Sequence, residues 1–315
     1  MLNFVSCARR SQDSFARKIR RRLYFTMERG VRRLSLAFRI AAIATGALLL
    51  LLAVAALFVY LKSERILHQT YDVPLQEITL PTDPASITEG GRLARIRGCY
   101  GGCHGKTLEG FVWEDSFITG HVVAPDLTRV VRELPPAVVA RVVRHGVREN
   151  GESVWEMPSN MFFHLSDADM ARIIAFLRSE APRNGMRRKL NYGPQQRWEI
   201  VSGKLRSVRD EILAMGAPER EYDAGDSVAH GRYLARTVCS ECHGMTLQGG
   251  SEGTPNLHVM AGAYPIEQFT TLMRTGKAAG DRELQLMSNV ARSRFSHFTE
   301  IEIAALYTFL RSQPR

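Results

Sequence analysis

The chain repeats itself. Gly91-Arg92-Leu93-Ala94-Arg95 leads into Cys103-His104-Gly105-Lys106-Thr107-Leu108-Glu109-Gly110. Gly231-Arg232-Tyr233-Leu234-Ala235-Arg236 leads into Cys242-His243-Gly244-Met245-Thr246-Leu247-Gln248-Gly249. Further on, Ala124-Pro125-Asp126-Leu127 pairs with Thr254-Pro255-Asn256-Leu257. Each copy closes on a helix signal. Ser166-Asp167-Ala168-Asp169 and Thr299-Glu300-Ile301-Glu302 have the form of a capping box, and both following segments end Phe-Leu-Arg-Ser, at 176–179 and 309–312. Self-similarity of this kind means one folding unit used twice, here over 86–181 and 224–315. Strand signals are weak, and each copy reads as short helices joined by long loops. A unit of about 90 residues with so little regular core needs something large at its centre.

The net charge of +10 looks at first like a nucleic-acid signal, but its distribution argues against that. Residues 1–39 hold eleven Arg/Lys against Asp13 and Glu28, which accounts for nine of the ten. The basic character therefore belongs to a short arm, and no nucleic-acid partner is expected. After the arm, residues 40–61 read IAAIATGALLLLLAVAALFVYL, with no charge. As a helix that stretch is about 33 Å long, enough for a bilayer core. Basic residues before such a span stay cytoplasmic, so residues after Lys62 are expected on the outer side. The alternative is a cleaved signal peptide, with Ala53-Val54-Ala55 as the cleavage site, but the stretch is long for that. Translation from Met27 instead of Met1 would leave a shorter basic lead, and both starts remain open.

Residues 62–85, with Pro74, Pro81 and Pro84, are expected to form an extended tether. Residues 182–223 form a polar, basic linker between the copies. Its middle, Gln195 to Met215, places Trp198, Val201, Leu205, Val208 and Ile212 at helical spacing and is expected to be helical.

The second copy carries the sharpest motif, Cys239-Ser240-Glu241-Cys242-His243. C-x-x-C-H is the attachment pattern of c-type haem. Two thiols add across the vinyl groups of one porphyrin edge, and the adjacent histidine then lies beneath the iron. A zinc site would need a second pair of ligands nearby, and none follows. A redox dithiol belongs with a βαβ pattern, which is absent. A structural disulfide gives the histidine no role. The first copy reads Cys99-Tyr100-Gly101-Gly102-Cys103-His104, with one extra residue between the thiols. The two glycines allow that loop to bulge. The repeat favours haem here too, held by two thioethers or by Cys103 alone.

The sixth iron position can be filled by a thioether or a second imidazole, Met/His ligation raises the potential, and methionine is expected here. Met157 and Met287 lie in corresponding loops, with Met161 and Met273 as competitors. His145, His164, His258 and His297 are alternative distal imidazoles. The proximal histidine needs an acceptor for its other nitrogen, and the carbonyls of Pro125 and Pro255 are placed to serve. Cys7, in the basic arm, has no function that its surroundings suggest.

Together these motifs resemble tandem class I cytochrome c domains over residues 86–315: GR-x-LA, C-x-x-C-H-G, AP-[DN]-L, MPS ahead of LSD-x-D, and a final FLRS. The likeness extends to membrane-anchored di-haem cytochromes and to the cytochrome subunits of periplasmic alcohol and gluconate dehydrogenases. The resemblance implies an all-α chain, with an N-terminal transmembrane helix before two small helical domains and two covalently bound haem c. It implies Cys99, Cys103, Cys239 and Cys242 as attachment sites and His104 and His243 as proximal ligands. Met157 and Met287 would be distal ligands, with Pro125 and Pro255 as carbonyl acceptors. The implied role is electron relay, not enzyme catalysis. The implied partners are a dehydrogenase, a quinol-oxidising complex or a terminal oxidase, at the periplasmic face of a bacterial inner membrane. A di-haem peroxidase or a haem-based sensor is the alternative. Either would need an iron with an open or displaceable distal position.

Overall fold

The computed structural model describes residues 4–250 and 253–313. Among residues 4–35 it describes the side chains of Arg20, Phe25, Met27 and Arg32 alone, so Cys7 and most of the basic arm lie outside the described side chains. The chain divides into two compact units, residues 1–61 and 62–315.

Helix α1 (Phe4–Leu67) carries the uncharged stretch. Its segment Leu36–Leu67 is long and apolar enough to cross a membrane, with a mean hydropathy of 2.7 over its most apolar run of 18 residues. The leucines of the stretch and Val54 are exposed.

The second unit is mostly helical. It begins with the last turn of α1, followed by extended chain and α2 (Pro84–Ile96). Helix α2 starts at an Asp83 cap, whose carboxylate accepts from the Ser86 N–H at 2.8 Å, with Pro84 in the first turn. A hairpin follows, β1 (Phe111–Ser116) and β2 (Gly120–Ala124). Then come α3 (Leu127–Glu133), α4 (Pro136–His145), the single turn α5 (Ser159–Phe162) and α6 (Asp167–Ser179). The stretch between the copies holds β3 (Lys189–Tyr192), α7 (Pro194–Val201) and α8 (Val208–Leu213). The second copy runs α9 (Ser227–Leu234), a π-turn at Ala235–Cys239, α10 (Ser240–His243), α11 (Leu257–Ala263) and α12 (Ile266–Thr275). Two-residue strands β4 (Lys277–Ala278) and β5 (Arg282–Glu283), then α13 (Leu286–Ser293), a 3-10 turn and α14 (Glu300–Ser312) complete it.

Corresponding elements are built alike. Helix α2 packs on α6, and α9 on α14. Both pairs meet at a glycine. A Cβ on Gly90 would sit 2.0 Å from the Arg172 carbonyl oxygen, and one on Gly231 would sit 2.0 Å from that of Ala305. The contact shifts the alignment by one residue: Gly90, not Gly91, takes the place of Gly231. Helices α4 and α12 both follow a proline and stop at a left-handed glycine, Gly146 and Gly276. At α14 the capping box is complete, with the Glu302 N–H on Thr299 Oγ1 and the Thr299 N–H on Glu302 Oε2. At α6 only the forward bond forms, from the Asp169 N–H to Ser166 Oγ. The Asp169 carboxylate turns instead to Arg97 and Tyr233.

The expectation of an all-α chain needs a correction. Strands β1, β2 and β3 form an antiparallel sheet in that order, pairing Phe111 with Ala124 and Gly120 with Tyr192. The hairpin is an insertion between His104 and Pro125, where the second copy has a shorter loop. It displays Phe111, Trp113, Phe117 and Ile118 to solvent, Phe117 at 87% exposure.

The stretch 195–215 is two helices, broken around Gly203 at φ +77°. Ile200, not Trp198, is the buried residue of α7. Helix α8 buries Val208 and Ile212 against Val154 and Phe163 of the first copy. Residues 62–85 are held by side-chain bonds to the stretch between the copies. Arg197 reaches Ser63 Oγ at 2.8 Å and Glu64 at 2.7 Å, and Tyr71 donates to Asp210 at 2.9 Å. Val73 is buried. One apolar core runs through both copies, from Leu93 and Ile174 to Leu306 and Leu310.

Candidate functional site

In the second copy, α9 widens into the π-turn that ends at Cys239, and α10 carries Cys242 and His243 on one further turn. Gly244 at φ +74° then turns the chain away. Desolvation pushes the pKa of the half-buried Cys239 thiol up to about 12, which keeps it protonated. The His243 ring is buried, and burial lowers its pKa, so the imidazole is neutral. His243 Nδ1 lies 2.8 Å from the Pro255 carbonyl. A carbonyl only accepts, so Nδ1 carries the hydrogen and Nε2 presents its lone pair. That is the tautomer a metal-bound histidine needs.

The first copy shows the same arrangement. His104 is buried, its pKa is lowered by burial, and Nδ1 lies 2.9 Å from the Pro125 carbonyl. Burial pushes Cys99 up to about 12 and raises Cys103 as well. The flanking bonds repeat. The Gly110 N–H donates to the His104 carbonyl and that of Gly249 to His243, at 2.9 and 3.1 Å. The Leu127 N–H donates to Leu108 and that of Leu257 to Leu247, both at 2.9 Å. Leu108 and Leu247 are buried leucines in left-handed backbone, φ +72° and +60°. Two matched outliers of this kind cost free energy and persist only where the surrounding structure imposes them. The longer thiol loop closes through the Cys103 N–H on the Gly98 carbonyl at 2.8 Å, with Gly101 at φ +72°.

Met157 and Met287 are both half-buried, before α5 and on the first turn of α13. Both lie against the core cluster that also carries Cys99 and Cys239. Met161 and Met273 are core residues, 1% and 4% exposed. Of the alternative imidazoles, His164 accepts the Glu219 N–H on Nδ1 at 3.0 Å, and His258 Nε2 lies 3.3 Å from the Thr246 carbonyl.

The residues present suit a covalently held haem. None of Cys99, Cys103, Cys239 and Cys242 is in a disulfide among the described residues. Each pair adjoins a neutral, correctly protonated histidine. Trp155, two residues before Met157, buries its Nε1 without a hydrogen-bond partner among the described residues. An orphaned donor of that kind is a cost unless something outside the protein accepts from it.

Sequence reasoning missed three contributors. The Cys242 carbonyl accepts from Thr254 Oγ1 at 2.6 Å. The first copy has Ala124 there, without a hydroxyl, and the Cys103 carbonyl accepts instead from Trp113 Nε1 of the inserted hairpin at 3.2 Å. The Thr-to-Ala difference between the matched segments was the available signal. The third contributor, Arg294, binds Glu241 at 2.8 Å.

Residues 228–314 match the family described as cytochrome c. No curated protein matches the chain.

Proposed function

We propose that this chain, whose residues 228–314 make a cytochrome c domain and so hold a covalently bound haem c, is a membrane-anchored di-haem electron carrier. The observation that supports the second haem is the duplicated histidine geometry: Nδ1 of His104 on Pro125 and Nδ1 of His243 on Pro255, each beside two cysteines in no disulfide. Haem, when bound, supplies an iron that gains and loses one electron. The chain does the rest. Cys99, Cys103, Cys239 and Cys242 would hold the porphyrin edges, and His104 and His243 would present Nε2 to the irons. Pro125 and Pro255 lock the ring tautomers. Met157 and Met287 would supply the sixth ligands, which would leave no coordination site for a substrate.

The apolar helix fixes the carrier at the cytoplasmic membrane, with residues after 62 on the periplasmic side. There it relays electrons from a dehydrogenase or quinol-oxidising complex to a downstream acceptor such as a terminal oxidase. The test is an alkaline pyridine spectrum with intact mass on the purified full chain. Two haems per chain with the band of double thioether attachment are expected. A shifted band would mean that the first haem hangs from Cys103 alone, and one haem per chain would reduce the relay to a single-centre carrier.

A further inference from the structure

One side chain touches both cysteine loops and belongs to neither. Arg294 follows α13 as its cap residue. Its Nη1 donates to Glu241 Oε2 at 2.8 Å, and its Nη2 lies 3.5 Å from Cys103 Sγ. Glu241 stands between Cys239 and Cys242, and Cys103 is the second cysteine of the other motif. The guanidinium is 13% exposed and lies in a groove that two glycines leave open. A Cβ on Gly98 would come within 2.4 Å of Arg294 Cζ, and one on Gly102 within 3.3 Å of Nη2. Gly98 also has φ +76°, so both its space and its backbone suit glycine. Arg92 and Arg97 tie the copies together elsewhere: Arg92 bonds Glu302, and Arg97 bonds Asp169 and Tyr233. Of the three arginines, Arg294 is the one placed between the two cysteine loops.

We propose that Arg294 is a positioning residue that holds the two cysteine loops face to face, so that an electron passes directly between the haems they carry. The inference rests on the di-haem reading above. A thioether joins each sulfur to the edge of its porphyrin, so a group in contact with a cysteine loop is at the edge of that haem. Between Cys103 Sγ and Glu241 stands a single guanidinium. The step is a plain exchange: one iron goes from ferrous to ferric, the other from ferric to ferrous, and no bond or proton moves. The charge of Arg294 has a second effect. It lies beside Cys103 in a poorly solvated place, where screening is weak. There it opposes the extra positive charge of the ferric state and favours reduction of the first haem.

The experiment uses the haem-loaded full chain in detergent, as wild type, Arg294→Gln, Arg294→Lys and Glu241→Gln. Haem content, Soret circular dichroism and a potentiometric titration are measured on each. The wild type should show the two-signed Soret couplet of neighbouring haems. Arg294→Gln should at least halve that couplet. It should also shift the reduced-to-oxidised ratio of one haem about tenfold toward oxidised at a fixed potential, which is about 59 mV for a one-electron couple. Arg294→Lys should restore most of the ratio. Glu241→Gln removes the partner and leaves the cation. It should weaken the couplet and shift the ratio toward reduced. Should Arg294→Gln fail to retain haem, the Lys and Glu241 variants decide. An unchanged couplet and unchanged midpoints, with two haems retained, would overturn the proposal. One haem in the wild type would overturn the di-haem reading instead.

Discussion

A Cβ on Gly101 would meet nothing within 4 Å, yet its φ is +72°. Gly101→Ala therefore carries only the strain of left-handed backbone, about 1 kcal/mol, and should leave haem attachment intact. Thermal unfolding of the loaded protein measures it, and a loss of several times that size would mean the bulge is packed. Trp113 tests a different bond. Trp113→Phe keeps the ring and removes the donor to the Cys103 carbonyl. It should cost about 1 kcal/mol in denaturant titration, since the bond is at the surface and water replaces it in part. At this scale the cysteines, histidines and prolines were legible, because their chemistry depends on local spacing. Arg294 was not. It is 191 residues from Cys103, and no local pattern marks an arginine whose partners come from two other loops.

Packing between elements is steeper. Gly231 faces the backbone of α14, with an added Cβ 2.0 Å from the Ala305 carbonyl and 2.6 Å from Phe309 Cβ. Neither neighbour can swing aside as the tip of a long side chain would, so the helices must part. Gly231→Ala should cost about 3 kcal/mol and lower the yield of loaded protein. A melting temperature within a degree of wild type would show that α9 and α14 are not in this contact. The closing helices of the two copies, α6 and α14, could be read in advance because each has a local start, at Ser166 and at Thr299. The sheet could not. Strand β1 is almost wholly exposed, so its residues Phe-Val-Trp-Glu-Asp-Ser show no clean alternation. Strand β3 pairs with β2 from well over sixty residues away, between Val123 and Lys189, and its four residues mean little alone. In the partly helical linker, Gly203 lies between the two helices, and Trp198 of α7 faces solvent.

Across residues 62–315 the copies share a core and are cross-linked by arginines, so stability should depend on the acids that receive them. Glu302 is the most consequential. It accepts from Arg92 Nη1 and Nη2 at 2.7 and 2.8 Å while its Oε2 also holds the Thr299 N–H. Burial pushes its carboxyl up, but the bonds from Arg92 and Thr299 outweigh burial and hold it below its ordinary value of 4.5. The sign follows from linkage. Above 4.5 the group is ionised in both folded and unfolded chains, and its full contribution is present. As the pH falls below 4.5 the unfolded chain takes up the proton first, so unfolding is progressively favoured. The contribution is gone once the folded carboxyl is protonated too. Glu302→Gln should therefore be less stable than wild type at pH 7, because Arg92 loses one of its five acceptor oxygens together with the charge that pairs with it, and the α14 cap loses its anion. The difference should shrink as the pH falls below about 4.5, where wild type loses the same charge. Melting temperatures of both proteins from pH 7 to 3 check this. A difference that stays constant over that range would mean the Arg92–Glu302 contact does not depend on the carboxylate. The coupling of the copies would then rest on the shared apolar core and on Arg97 and Arg294.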